Sequence, residues 1–207
     1  MFTGIIDTIA KVFSLKQKNG FLVLTVFIKD SGFLNDLKLG SSISNNGCCL
    51  SVVKINGNLV SFQIIKKTFS STNFCFLKKN DNLNLEKSKK FSEEIGGHIV
   101  YGHVSAVASV LKMENYFNNK SIELIMRDKK INKYLIEKGS ICIDGISLTI
   151  GKVTQKSFFV YLIPDTLIRT NIGDRMVGDI VNIEVDYITK VIVDTVLNNK
   201  NFVKTFI

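Results

Sequence analysis

The sequence lacks several features that would assign the protein to particular classes. No apolar run approaches the roughly 18 residues of a membrane-spanning helix, and residues 1–13, MFTGIIDTIAKVF, have neither a basic n-region nor a small-residue cleavage site. The four cysteines show no CxxC spacing, and adjacent Cys48 and Cys49 would point to opposite faces of a strand, so neither disulfides nor a zinc site is favoured. We therefore expect a cytoplasmic protein with free thiols and no membrane partner.

The charge balance is basic, with 27 Lys plus Arg against 18 Asp plus Glu and a net charge of +9. Such a balance raises nucleic-acid binding as a hypothesis. The lysines are scattered, however, the arginines are only Arg127, Arg169 and Arg175, and no basic stretch is interleaved with aromatic residues. We interpret the charge as a solvated basic surface and expect no nucleic-acid partner.

An internal repeat organises the chain. At a constant offset of 98 residues, NGCCLS (46–51) aligns with DGISLT (144–149), IIKKT (64–68) with LIPDT (162–166), and LNLE (83–86) with VNIE (181–184). Gly4 aligns with Gly102 at the same offset. Because no gap is needed, the chain consists of two homologous halves, and a long repeat in only two copies indicates tandem domains.

Each half is predicted to form six short strands, rich in β-branched and aromatic residues and broken by turn signals such as Asn56-Gly57. So few strands suit a closed barrel, which removes exposed edges, better than an open sandwich. We predict an all-β protein of two tandem, homologous, six-stranded antiparallel β-barrels with short helices and a C-terminal α-helix. The predicted bounds are 1–97, 98–187 and 188–207.

Short helices are expected after the second strand of each half (30–37 and 127–139) and after the fifth (68–74 and 166–172). The longest of them would end at a C-cap formed by Gly139. The tail helix has an apolar stripe on one face. This stripe comprises Ile188, Val191, Ile192, Thr195, Val196 and Phe202. It either packs on its own barrel or forms an oligomer contact.

Two similar pockets suit a reaction between two copies of one molecule. MFTGI (1–5), NGCCLS (46–51), GGHIVYGHV (96–104) and DGISLT (144–149) closely resemble the riboflavin synthase family, and the resemblance covers essentially the whole chain. It implies an enzyme, a homotrimer, that binds 6,7-dimethyl-8-ribityllumazine in an N-terminal barrel and in the C-terminal barrel of a neighbouring subunit. Transfer of four carbons from one lumazine to the other gives riboflavin and 5-amino-6-(ribitylamino)uracil. The resemblance implies no metal, flavin or nucleotide cofactor, and adds lumazine synthase as a partner.

The resemblance also implies two substrate pockets. The N-terminal one would comprise Gly4, Ile5, Ile6, Cys49, Leu50, Ser51, Gln63, Ile64, Ile65, Lys66, Lys67 and Thr68. The C-terminal one would comprise Gly102, His103, Val104, Lys138, Ser147, Leu148, Thr149, Tyr161, Leu162, Ile163, Pro164, Asp165 and Thr166. The chemistry needs a base for the methyl group on carbon 7 of one lumazine and a nucleophile or activated water for carbon 7 of the other. The implied catalytic residues are Ser42, Cys49, His103, Lys138, Ser147, Thr149 and Asp186.

Several of these residues also have a structural interpretation. Cys49 is either a buried strand thiol or a pocket residue, as its alignment with Ser147 favours. Asp186 either caps the tail helix or acts at the subunit interface, and Lys138 could be a helix-end cation. His98 and His103 lie five residues apart, a spacing that places them on opposite faces and argues against a metal pair. We expect His103 to contact ligand and His98 to be structural.

Two positions depart from the family pattern. Lys67 stands where many members have an acidic residue, and Ser51 replaces the more usual threonine. The alternative function is a protein that binds lumazine or flavin without converting it. Because both halves retain the residues that carry the chemistry, we expect the enzyme.

Overall fold

The structure, a computed structural model, describes residues 1–18, 21–117 and 119–199. The predicted stripe residue Phe202 lies outside these ranges. The described chain forms two closed, six-stranded antiparallel barrels and a C-terminal helix, which confirms the predicted fold class.

Both barrels have the same strand order. The first barrel comprises β1 (Thr8–Lys18), β2 (Phe21–Phe27), β3 (Ser42–Asn45), β4 (Cys48–Asn56), β5 (Leu59–Ile64) and β6 (Asn82–Lys87). The second comprises β7 (Ala106–Tyr116), β8 (Asn119–Met126), β9 (Ser140–Ile143), β10 (Ile146–Val153), β11 (Phe158–Leu162) and β12 (Ile180–Val185). Around the first barrel the order is β1-β2-β5-β4-β3-β6, and around the second it is β7-β8-β11-β10-β9-β12. Even the bulge between Val12 and Ser14 recurs between Val110 and Lys112.

Alternation along the strands separates core from surface. In β4, Cys48, Leu50 and Val52 are buried, whereas the intervening side chains are more exposed. Because successive side chains of a strand point to opposite faces, one set fills the barrel and the other lies on its outer wall. The outer wall of β4 is therefore available for ligand.

In the described part of the chain, four α-helices connect or follow the strands. They are α1 (Ser31–Leu34), α2 (Lys66–Ser71), α3 (Pro164–Arg169) and α4 (Tyr187–Asn198), and short 3-10 helices cover Asn73–Phe76, Lys129–Tyr134 and Asn171–Asp174. The helix predicted over 127–139 is thus a single short 3-10 segment that ends before Gly139. The C-cap of this segment is Leu135, whose N–H donates to the carbonyl of Asn132, so Gly139 is not the C-cap.

The barrels meet through a buried polar network with reciprocal contacts. The backbone N–H of Asn73 donates to Asn182 Oδ1 at 2.7 Å. Its counterpart, with the two barrels exchanged, is the N–H of Asn171, which donates to Asn84 Oδ1 at 2.8 Å. This reciprocity relates the barrels by an approximate two-fold axis.

None of the helices in the described part of the chain is both long and apolar enough to cross a membrane.

Candidate functional site

A cleft of about 340 Å³ lies on the outer wall of the first barrel. Its lining comprises Phe21, Cys49, Leu50, Ser51, Val53, Gln63, Ile65 and Thr68, and we call it the first cleft. The outward side chains of β4 and β5 form its floor, and the start of α2 closes one end. Ile64, predicted in this pocket, is instead fully buried in the barrel core, because it follows outward-pointing Gln63. Lys66 and Lys67 are exposed beyond Ile65.

The equivalent wall of the second barrel carries Ser147, Thr149, Gly151, Tyr161, Ile163 and Thr166. We call this surface the second cleft because its residues are equivalent to those that line the first. A Cβ on Gly151 would lie 2.5 Å from Cε2 of Tyr161, so this tyrosine ring covers the glycine. Leu162, like Ile64, is fully buried and belongs to the core, and Leu148 is 9% exposed. Pro164 and Asp165 begin α3, where Asp165 pairs with Arg169 at 2.7 Å.

The two clefts are completed by chain segments from the opposite half, which differs from the predicted grouping. The N–H of Ser147 donates to the carbonyl of Gly4 at 2.8 Å, and the N–H of Cys49 donates to that of Gly102 at 2.9 Å. Ile6 packs in the core of the second barrel, and Val104 packs against the core of the first. The segment containing Gly4, Ile5 and Ile6 thus belongs to the second cleft, and the segment containing Gly102, His103 and Val104 belongs to the first.

Glycine is required at both contacts. Gly4 has φ +75° and Gly102 has φ +78°, in the left-handed region that L-residues other than glycine rarely adopt. A Cβ would lie 2.6 Å from Ser147 Cβ at the first position and 2.5 Å from Cys49 Cβ at the second. The close approach and the positive φ therefore both require glycine at these two positions.

His98, predicted to be structural, contacts a candidate catalytic residue. Its Nδ1 lies 2.7 Å from Ser147 Oγ, and the tautomer decides which atom donates. Burial lowers the pKa of His98, and the nearby Asp186 carboxylate opposes that effect. A neutral ring in this position can exchange a proton with the hydroxyl. The Gly96-Gly97 pair before His98 is the sequence feature that could have indicated this contact, because a close turn there brings the imidazole ring to strand β10.

Cys49 is a half-buried thiol beside Ser42. Burial raises the pKa of Cys49, and a hydrogen bond with the Ser42 side chain acts in the opposite direction. A protonated thiol is the expected state at neutral pH, so this residue is suited to hydrogen bonding rather than to attack as a thiolate.

The remaining candidates face solvent. His103, Lys138 and Thr149 are exposed, and the ring of His103 stacks on Tyr101 with centroids 6.1 Å apart. Lys138 holds the left-handed conformation that Gly40 has at the equivalent place. These side chains are available to a ligand that lies on the surface of the chain.

Asp186 caps α4, because its Oδ1 accepts from the N–H of Thr189 at 2.7 Å. The helix rests on the second barrel through Val193 and through Asp194, which accepts from the Tyr134 hydroxyl at 2.6 Å. The predicted stripe does not pack on this barrel. Its members within the described ranges remain exposed: Ile188 62%, Val191 45%, Ile192 57% and Val196 41%, with Thr195 also exposed.

Within the described ranges, no three His, Cys, Asp or Glu side chains are grouped so that they could hold a metal ion. The chemistry available in the clefts is hydrogen bonding and proton transfer by a thiol, hydroxyls, imidazoles and a carboxylate.

The chain is similar to known proteins over most of its length. The lumazine binding domain model matches residues 3–88 and again residues 101–186. Riboflavin synthase of Escherichia coli (strain K12) is 46% identical over 95% of this chain and 92% of its own length. Riboflavin synthase of Buchnera aphidicola subsp. Schizaphis graminum is 43% identical over 94% of this chain and 93% of its own length.

Solved structures support the fold. LumP complexed with riboflavin has a TM-score of 0.83 at 24% identity, over 90% of this chain and 100% of that chain. LumP complexed with 6,7-dimethyl-8-(1'-D-ribityl) lumazine has a TM-score of 0.81 at 23% identity, over 90% and 99%.

Proposed function

We propose that this chain, which belongs to the riboflavin synthase family and is an enzyme with two lumazine-binding domains, converts two molecules of 6,7-dimethyl-8-ribityllumazine into riboflavin and 5-amino-6-(ribitylamino)uracil. One lumazine loses four carbons and the other gains them, so the reaction needs no external oxidant or reductant. The family resemblance inferred from the sequence motifs is confirmed.

The observation that carries this proposal is that equivalent outer walls of the two barrels present different reactive groups. The first cleft has Cys49 with Ser42 beside it, and the second has Ser147 in contact with His98. Such a pair suits two copies of one planar ligand that take different parts in one reaction.

We assign the proton transfer to the Ser147–His98 pair, because a neutral imidazole bonded to a hydroxyl can take up a proton from the methyl group on carbon 7. The carbanion formed would attack the second lumazine after a hydroxyl or water has added to its carbon 7. The protonated Cys49 thiol and the Ser51 hydroxyl would orient that second molecule.

Both clefts lie on outer walls, and we infer that a neighbouring subunit covers them. The exposed stripe of α4 supports a homotrimer in which the first cleft of one chain faces the second cleft of another. His103, Lys138, Thr149 and Asp186 would then act on ligand held between chains. Association with lumazine synthase stays a prediction.

A cytoplasmic location is also proposed. All four cysteines are free, which fits a reducing compartment.

The deciding experiment incubates the purified chain with the lumazine alone, without cofactor. We expect one riboflavin and one pyrimidine product for every two lumazines consumed. Riboflavin fluorescence and chromatography measure both products. Tight binding of lumazine with no riboflavin formed would instead indicate a non-catalytic binding protein.

Asp186 is tested by Asp186→Asn. Asparagine still caps a helix, so α4 is retained while the charge beside His98 is lost. If the carboxylate takes part in proton transfer, turnover should fall about a hundredfold or more. Asp194→Asn, on the same helix, is the matched control. A loss below about threefold, against the larger loss typical of a general base, would remove Asp186 from the catalytic set.

A further inference from the structure

Two buried glutamates have no place in the catalytic set. Glu86 lies in β6 and is fully buried, and Glu184 lies in β12 and is 6% exposed. They are equivalent in the internal repeat. Among the described residues, neither carboxylate takes part in a salt bridge. A buried carboxylate needs hydrogen-bond donors to replace the water it has lost, so its partners indicate its role.

Glu86 binds the N-terminal segment. Its Oε1 accepts from the N–H of Thr3 at 2.7 Å and from the Thr3 hydroxyl at 2.8 Å. Its Oε2 accepts from the N–H of Gly4 at 2.9 Å. Three donors on two adjacent residues fix the direction of the Gly4 carbonyl, which then accepts from the N–H of Ser147 in the second cleft.

Glu184 binds the segment between the barrels in the same manner. Its Oε1 accepts from the N–H of Tyr101 at 2.7 Å, and its Oε2 accepts from the N–H of His103 at 2.7 Å. The residue between these two donors is Gly102, whose carbonyl accepts from the N–H of Cys49 in the first cleft.

The contacts to the clefts replace missing strand pairing. The pairing of β4 with β5 begins at Val52 and Phe62, so strand β5 does not cover the N–H of Cys49. Instead, the carbonyl of Gly102 accepts from the N–H of Cys49. The carbonyl of Gly4 accepts in the same way from the N–H of Ser147 on β10. Without these segments, the candidate reactive residue of each cleft would sit on an open strand edge.

We propose that Glu86 and Glu184 are positioning residues that act across the barrel boundary, Glu86 of the first barrel on the second cleft and Glu184 of the second barrel on the first cleft. The roles of the clefts rest on the proposed function, but the positioning itself does not.

Replacement by glutamine tests the idea with little change in volume. A carboxylate offers two acceptor oxygens, whereas an amide offers one, and its NH₂ group then faces a backbone N–H. Glu86→Gln should therefore release the segment at Gly4, and Glu184→Gln the segment at Gly102.

Thiol labelling reports each cleft separately. In a Cys75→Ser background, which removes the exposed thiol, Cys49 is half-buried while Cys48 and Cys142 are buried. We expect Glu184→Gln to raise the rate at which 5,5′-dithiobis(2-nitrobenzoate) labels Cys49 by about tenfold or more, because an unpaired buried donor favours local opening. Glu86→Gln should change that rate much less, by no more than about twofold, because it removes no contact of Gly102 itself. The two segments do touch, through the backbone pair of Phe2 and Val100, so the comparison between the two variants carries the test.

The second cleft is probed in the Cys75→Ser background with Cys49→Ser and Ser147→Cys added, so that position 147 carries the half-buried thiol. There Glu86→Gln should speed labelling at position 147, and Glu184→Gln should not. Glu123→Gln is the matched control, because Glu123 also accepts a hydrogen bond, from the Ser157 hydroxyl at 2.6 Å, and this bond involves neither glycine segment. It should alter neither rate.

Thr3→Val gives a milder test should a glutamine variant fail to fold. It removes one of the three donors to Glu86 and should raise labelling at position 147 alone. Unchanged labelling in all these variants, or equal increases at both clefts, would overturn the proposal. Labelling does not depend on turnover, so an inactive parent enzyme would refute the proposed function and leave this result unaffected.

Discussion

The ion pair of Asp144 and Arg175 lies at the interface between the barrels. The approximate two-fold symmetry of this interface suggests which residues could replace the pair. Asp144 is fully buried, and its Oδ2 accepts from Arg175 Nη2 at 2.6 Å. Its Oδ1 accepts from Asn73 Nδ2 and from the N–H of Asn182, at 2.9 and 2.8 Å. At the equivalent places of the first half, 98 residues earlier, stand the neutral Asn46 and Leu77.

We predict that Arg175→Leu alone is strongly destabilising. It leaves a buried carboxylate without its cation, which typically costs about 3–5 kcal/mol. Asp144→Asn alone should also destabilise, because the new amide would face the guanidinium. The double variant Asp144→Asn, Arg175→Leu recreates the pair found in the first half, and replacing both partners of a buried ion pair is often close to neutral. Its stability should therefore approach that of the parent.

The assay is urea unfolding of the four proteins, read as a double-mutant cycle. We expect a coupling free energy of about 2 kcal/mol or more between the two positions. Additive effects, with the double variant less stable than either single variant, would refute the reasoning from symmetry.

The pH dependence gives a second check. Burial raises the pKa of Asp144, and Arg175 is the largest opposing influence, so losing Arg175 should raise this pKa further. An acidic group whose pKa is raised in the folded state lowers the free energy of unfolding as the pH rises from its unfolded-state pKa towards its folded-state pKa. The deficit of Arg175→Leu should therefore shrink as the pH falls through the raised folded-state pKa of Asp144.

Three further predictions concern other parts of the chain. Gly102→Ala should lower the free energy of unfolding in urea more than Gly40→Ala does. Both glycines have positive φ, but only at position 102 would a Cβ contact Cys49. Equal losses of about 1–2 kcal/mol, the cost of the left-handed conformation alone, would contradict the close approach. Removing residues 188–207 should give monomers by light scattering that make no riboflavin, and fully active monomers would exclude both the inter-subunit site and the role of α4. Cys48 is buried, and its pKa is raised to about 12, so it should resist alkylation at pH 8 until the protein unfolds. The exposed Cys75 should react at once. Early alkylation of Cys48, detected by mass spectrometry, would argue against its burial.

The repeat explains why the barrels could be predicted so closely. An ungapped offset of 98 residues requires equivalent strands, and the structure carries this equivalence to the bulges at Val12 and Val110. The helix predicted over 127–139 forms only as the 3-10 helix Lys129–Tyr134. The apolar residues Ile131, Tyr134 and Leu135 lie three and four positions apart. A 3-10 turn satisfies the first interval equally well.

The candidate site was only partly predictable. Strand alternation separates Gln63 from the core residue Ile64, whereas the family resemblance implies a continuous run of pocket residues over 63–68. The contact between His98 and Ser147 joins residues 49 positions apart, and no local pattern encodes that distance.

The exchange of the two glycine segments could not be read from the repeat at all. Alignment of Gly4 with Gly102 states that they are equivalent, and this holds whether each segment covers its own barrel or the other one. The signal that remains in the sequence is the glutamate that ends both LNLE and VNIE. An acidic residue repeated inside a buried strand, with no basic residue repeated beside it, must find backbone donors. In this chain those donors belong to the segments that complete the opposite clefts, so the two clefts share one packing unit.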